Sequence, residues 1–253
     1  MLNRRLFLAS VLGAAHALPA QKLEAPFLTE SGWQPLLNGK DLSGWRVELG
    51  WRGVPGRTNE WFTARSVSLS PDSSRLVAKR EPGGIIVNGI ETHTTNLVSE
   101  RKFGDVELYL EFMLAKGSNS GVYLHGLYEV QVFDSFGSTG PLTFSDGGAI
   151  YQRWENEKGF GGSPPRTNAS RAPGEWQYYR IWFRAPRFRN GKKVEHARFE
   201  RVIYNGVVVQ ENFVCDGPTR SALEIPEAPE NPLMLQGDHG PVAYRNIYFR
   251  TLT

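Results

Sequence analysis

The 253-residue chain has a single cysteine, Cys215, so no internal disulfide can brace it. A catalytic thiol would want a nearby histidine motif, and none accompanies Cys215, which reads as a small core residue. Histidine is scarce too, at five residues. His93, His125, His196 and His239 have no compact ligand spacing, so any metal site would have to be assembled in space from separate strands and loops. The Walker loop, the dinucleotide fingerprint and the H-E-x-x-H zinc motif are all missing, and Gly117-Ser118-Asn119-Ser120-Gly121 has Asn119 where a nucleophile elbow needs serine. No cofactor is implied, and a requirement for a divalent ion is left open. After the first twenty residues there is no sustained apolar spacing at i, i+3, i+4 and i+7, which argues against helical architectures.

Charge of one sign is lacking as well. The formal balance is +3, from 29 basic and 26 acidic residues. Removing Arg4 and Arg5 leaves 27 against 26, or +1, so nothing points to nucleic acid as a partner. The cluster Arg184, Arg187, Arg189, Lys192 and Lys193 reads as a solvated loop. Arg4 and Arg5 precede the apolar run Leu6 to Leu12, and small residues follow. Asn3-Arg4-Arg5-Leu6-Phe7-Leu8 looks like a twin-arginine export signal. Residues 1–20 are therefore expected to be a signal, cut after Ala17 or Ala20, with 21–253 forming one domain in the periplasm or outside the cell; an uncleaved N-terminal anchor is the alternative. No stable membrane insertion is expected once the signal is gone.

What the sequence does hold is 27 glycines, 16 prolines and 12% aromatic residues, a composition suited to short strands joined by tight turns. Val106, Leu108, Leu110, Phe112 and Leu114 alternate with Glu107, Tyr109, Glu111 and Met113, the pattern of a half-buried strand. Val122 and Leu124, then Tyr128, Val130 and Val132, continue the alternation about a reversal at Gly126. Asn205-Gly206 between apolar runs predicts a hairpin, residues 159–174 read as a long surface loop, and two more strands flank Gly237-Asp238-His239-Gly240-Pro241. The class is all-β, a sandwich or a barrel.

Several strings, in order, resemble the 3-keto-disaccharide hydrolase family: Pro35-Leu36-Leu37-Asn38-Gly39-Lys40-Asp41-Leu42-Ser43-Gly44-Trp45; Phe103-Gly104-Asp105-Val106-Glu107-Leu108; Ser118-Asn119-Ser120-Gly121-Val122-Tyr123-Leu124; Tyr128-Glu129-Val130-Gln131-Val132-Phe133-Asp134-Ser135; Gly148-Ala149-Ile150-Tyr151; Pro173-Gly174-Glu175-Trp176; and Leu235-Gln236-Gly237-Asp238-His239-Gly240-Pro241-Val242. The resemblance runs from about Trp33 to the end. It implies a concanavalin A-like jelly-roll β-sandwich of two antiparallel sheets and, for some members, cleavage of glycosides whose sugar is oxidised to a ketone at C3. The stretch 46–59 matches loosely, and Gly237 stands where a shorter run is expected.

Alternation puts Glu129 and Gln131 on one strand face. Asp134 joins them only if a bulge near Phe133 shifts the register. Tyr123 and His125 share that face if Gly126 closes the hairpin. A 3-keto sugar needs a base for the proton at C2, for which Glu129 or His239 is the candidate, a partner for the enolate oxygen from Arg101, Gln131 or a histidine, and an acid for the leaving group, Asp134. Gln236 and Arg245 complete the candidate substrate contacts, and Tyr123, Trp154, Trp45 and Trp61 could stack on sugar rings. Two other readings stand beside this one: a lectin-like carbohydrate-binding module, and a retaining glycosidase with two carboxyls about 5 to 5.5 Å apart.

Overall fold

A computed structural model describes residues 25–48, 58–89 and 94–252; the expected signal and its cleavage sites lie outside these residues. In chain order the elements are a short helix α1 (Pro26–Thr29) and the strands β1 (Gln34–Pro35), β2 (Trp45–Glu48), β3 (Phe62–Ala64), β4 (Val67–Leu69), β5 (Leu76–Ala78), β6 (Ile85–Val87), β7 (Asn96–Phe103), β8 (Val106–Leu114), β9 (Asn119–Leu124), β10 (Tyr128–Phe133), β11 (Arg153–Glu155), β12 (Lys158–Phe160), β13 (Gln177–Arg184), β14 (Arg187–Arg189), β15 (Lys192–Glu195), β16 (Ala197–Tyr204), β17 (Val207–Cys215), β18 (Asn231–Leu235) and β19 (Val242–Thr251).

Two antiparallel sheets form a jelly-roll sandwich. The larger has the order β17-β16-β13-β8-β19-β6-β3, with β1 added beside β19; the smaller has the order β10-β9-β18-β7-β2. Alternation decides which side chains lie between them. On β8 the core takes Val106, Leu108, Leu110, Phe112 and Leu114, and on β10 it takes Tyr128, Val130 and Val132, as the two-residue period requires. Cys215 is buried in the same core, and burial pushes its thiol far up. Asn205 and Gly206 turn β16 into β17 with both φ values positive, at 48° and 88°, the geometry for which Asn-Gly is favoured.

The outer face of the larger sheet carries ion pairs. Glu107, fully buried, meets Arg180 at 2.6 Å and Arg250 at 2.5 Å, and Arg245 meets Glu111 at 2.6 Å. The basic cluster, expected to be a loop, spans the end of β13 and the β14–β15 hairpin, and Arg184 and Arg187 share Asp105. Among the described residues no helix is long and apolar enough to cross a membrane. The outer face of the smaller sheet is different: its side chains are covered by the connections 134–152 and 216–230, and the cavity they leave is the candidate site.

Candidate active site

Three residues of the adjacent strands β9 and β10 form the floor. Glu129 lies directly across from Tyr123, and Gln131 from Gly121, in a register unbroken from Tyr128 to Phe133. Glu129, Gln131 and Tyr123 therefore face the same way, as alternation on β10 predicts. Gly121 is needed here because a Cβ on it would come within 2.2 Å of Glu129 Oε1 and 2.9 Å of the Tyr123 ring. The Gln131 amide, oriented by its surroundings, donates to Glu129 Oε1 at 2.9 Å and to the Ser120 carbonyl at 3.1 Å. Tyr123 hydrogen-bonds the Glu129 carboxyl and donates to the Arg220 carbonyl at 3.2 Å.

Glu129 is 2% exposed. Burial raises its carboxyl to a pKa of about 8; the Tyr123 bond opposes the shift and the nearby Asp238 charge adds to it. At neutral pH the group is mostly the uncharged acid.

The facing wall is the turn between β18 and β19. Asn88, fully buried, donates to the carbonyls of Gly237 (3.2 Å) and Gly240 (2.6 Å) and accepts from Val242 N (2.8 Å). Ser118 Oγ adds a bond to the Pro241 carbonyl at 2.7 Å. Gly237, which the sequence leaves as an oddity, passes so close to Thr95 that a Cβ would lie 2.1 Å from the Thr95 carbonyl. The turn is thus held on both sides, and it presents His239 with its Nδ1 2.5 Å from Asp238 Oδ1. The His239 side chain is half-exposed and that of Asp238 largely buried.

Between floor and wall lies a cavity of about 370 Å³, lined also by Asn119, Tyr151, Arg220, Ser221 and Gln236. That volume lies in the range of small-ligand sites. Gln236 is buried and its Oε1 has no hydrogen-bond partner. Among the described residues no group of three His, Cys, Asp or Glu side chains is placed to hold a metal ion.

The cavity brings together Glu129, Gln131, Tyr123, Gln236 and His239 from the sequence candidates and leaves out four. His125 takes φ 60° in the β9–β10 turn, which breaks the alternation and sends its ring into the core, 5.0 Å from Phe183 and 6.3 Å from Tyr128. Asp134 follows the last residue of β10 with no bulge before it, and its carboxylate accepts from Gly117 N at 2.8 Å and Phe136 N at 3.3 Å. Arg101 lies over the Phe249 ring and donates to Gln34 at 3.1 Å. Arg245 belongs to the outer face of the other sheet, stacked on Trp176 and paired with Glu111. Of the candidate stacking aromatics, Trp45 and Trp61 are core residues, and Trp154 stands exposed beside Arg220. Asn119, Tyr151, Arg220, Ser221 and Asp238 are additions. Asp238 was legible as the neighbour of His239; Arg220 carries no motif at all.

The family described as the 3-keto-alpha-glucoside-1,2-lyase-like domain matches residues 32–250. The chain belongs to that family. Among solved structures, a candidate glycosyl hydrolase of Parabacteroides distasonis is similar at 28% identity and a TM-score of 0.59, covering 88% of this chain and 84% of that one. A second from the same organism, at 21% identity and a TM-score of 0.53, covers 87% and 99% and shares the fold. No curated protein matches the sequence. Membership of the lyase-like family makes the chain a glycoside-acting protein.

Proposed function

We propose that the protein cleaves glycosides whose sugar is a ketone at C3, by eliminating the aglycone and hydrating the product. The observation that carries this reading is one cavity holding a buried carboxyl, whose pKa burial raises, and a histidine oriented by a carboxylate on a different wall.

The ketone acidifies the hydrogen at C2. Asp238 holds the His239 Nδ1–H, which leaves the lone pair on Nε2, and that atom takes the C2 proton. The electron pair moves to the C3 oxygen as an enolate. The ketone then re-forms as C1=C2 is made, the C1–O bond breaks, and Glu129 gives its proton to the departing oxygen. Water adds across the double bond, hydroxyl to C1 and hydrogen to C2, and a free 3-keto sugar leaves. Tyr123, hydrogen-bonded to the Glu129 carboxyl, holds it in place for this task.

A carbohydrate-binding module would not need an acid and an oriented base facing one cavity, and a retaining glycosidase would need a second carboxylate as nucleophile, whereas Asp134 is engaged at Gly117 and Asp238 at His239. The test is incubation with 3-keto glucosides and their unoxidised parents, following free sugar and enone absorbance. Cleavage of the keto substrates alone, lost in E129Q and H239A, is the expected result; binding without cleavage would overturn it.

A further inference from the structure

The described residues include six half-buried arginines: Arg153, Arg180, Arg184, Arg220, Arg245 and Arg250. Five have a carboxylate within 4.0 Å: Asp216 for Arg153, Glu107 for Arg180 and Arg250, Asp105 for Arg184 and Glu111 for Arg245. Arg220 has none among the described residues, and it is the one that lines the cavity. A guanidinium partly withdrawn from water without a counter-charge is costly unless something else supplies the anion.

The side chain is held in place. Its guanidinium carbon lies 4.0 Å from the ring centroid of Trp154, and its backbone N–H donates to the Gln152 carbonyl at 2.8 Å. Trp154 sits on the β11–β12 hairpin, which belongs to neither sheet. That hairpin is tied down by Arg153, which pairs with Asp216 at 3.3 Å and closes against Gly217, where a Cβ would lie 2.7 Å from the guanidinium. Stacking on an indole orients the planar fork and leaves its N–H edge free for a planar oxyanion. The direction matters too. The Arg220 carbonyl is at the buried Tyr123 end, whereas its side chain runs to Trp154, which is 42% exposed. The cation thus lies on the side of the exposed Trp154.

We propose that Arg220, positioned by Trp154, is a subsite for a carboxylate on the aglycone, so that the preferred substrates are glycosides of acidic aglycones. The inference rests on the proposed 3-keto-glycoside cleavage, and deepens it. A carboxylate fits the fork bidentately; a phosphate or sulfate ester presents similar oxygens and is distinguished below.

The experiment compares 3-keto glucosides of 4-hydroxybenzoate and 4-hydroxybenzamide, which differ in charge and little in shape, with the 4-hydroxyphenyl sulfate and phosphate esters as further arms. The wild-type protein is expected to favour the benzoate over the benzamide by at least about tenfold in kcat/KM, mostly through KM and declining with salt. R220Q brings that ratio near 1, W154L lowers it, and W154F restores it. A wild-type ratio near 1 overturns the proposal. So does an R220Q loss shared equally by both substrates, which would place Arg220 on the enolate, and so does a stronger preference for the sulfate or phosphate. Binding of the unoxidised glucosides, read by calorimetry, separates the two readings. Charge-selective binding without turnover of any keto substrate keeps the subsite and removes the lyase reading; turnover without charge selectivity does the reverse.

Discussion

The carboxyl of Glu129 fills the space above Gly121 on the neighbouring strand, so closely that a Cβ at position 121 would lie 2.2 Å from its Oε1. Gly121 does not need an unusual φ; it needs to have no side chain. The atom displaced by a methyl group would be the far end of a flexible side chain, with only the edge of Tyr123 also close. G121A is therefore expected to fold, with melting shifted by a few degrees, yet to lose about 100-fold or more in turnover because the carboxyl is moved by an ångström or so. Parallel melting and kinetic measurements would decide it, and a G121A protein with full activity would take the acid role from Glu129.

Stability should record the same carboxyl. Its pKa is about 8 in the folded chain against 4.5 when free. Between those values the folded state holds a proton that the unfolded state has lost, so stability falls as pH rises, by about 1.4 kcal/mol per pH unit across the window. Below 4.5 both states are protonated and the loss is absent. E129Q removes this titration. Chemical denaturation from pH 5 to 8 is expected to show E129Q gaining steadily on the wild type, and parallel curves would mean that Glu129 is charged when folded.

Asp238 is a positioning residue for His239. D238N is expected to lower kcat by about 10²-fold or more with a small change in KM. A structural role alone would lower the melting temperature and leave kcat per folded molecule where it was.

His125 gives a prediction of the opposite sign. Burial lowers its pKa to about 4 from 6.5, and its Nδ1 has no partner. Between pH 6.5 and 4 the unfolded chain binds a proton that the folded chain refuses, so stability is lost on acidification. H125N retains a residue that tolerates φ 60° and removes the titration. It should flatten the acid side of the stability curve without abolishing turnover, since the ring does not reach the cavity; a selective loss of substrate binding would return His125 to the site.

How far the sequence reached depends on whether a residue lies on a regular strand. Val106 to Leu114 reads as a strand and is β8 to the residue, and the shared face of Glu129 and Gln131 follows from counting by two. Counting failed at His125, because one residue at positive φ reverses the parity that alternation assumes. It was silent at Arg245, where the period gives the face and does not say which of two sheets the strand joins. Arg220 and Tyr151 were out of reach for another reason: they arrive on long connections whose paths are set by distant bonds, such as Tyr151 N to the Glu129 carbonyl at 3.1 Å.

That division between strands and connections bears on inheritance. Glu129, Gln131 and Tyr123 are fixed by a register that cannot drift without turning the core outward, whereas Arg220, Ser221 and Trp154 belong to connections that can be lengthened or rewritten at little cost to the sandwich. Descendants of one ancestral scaffold could then diverge in diet while their reaction stayed the same. Exchanging the segments around residues 151–160 and 216–222 between two relatives would transplant selectivity as a unit, with each recipient keeping its own chemistry.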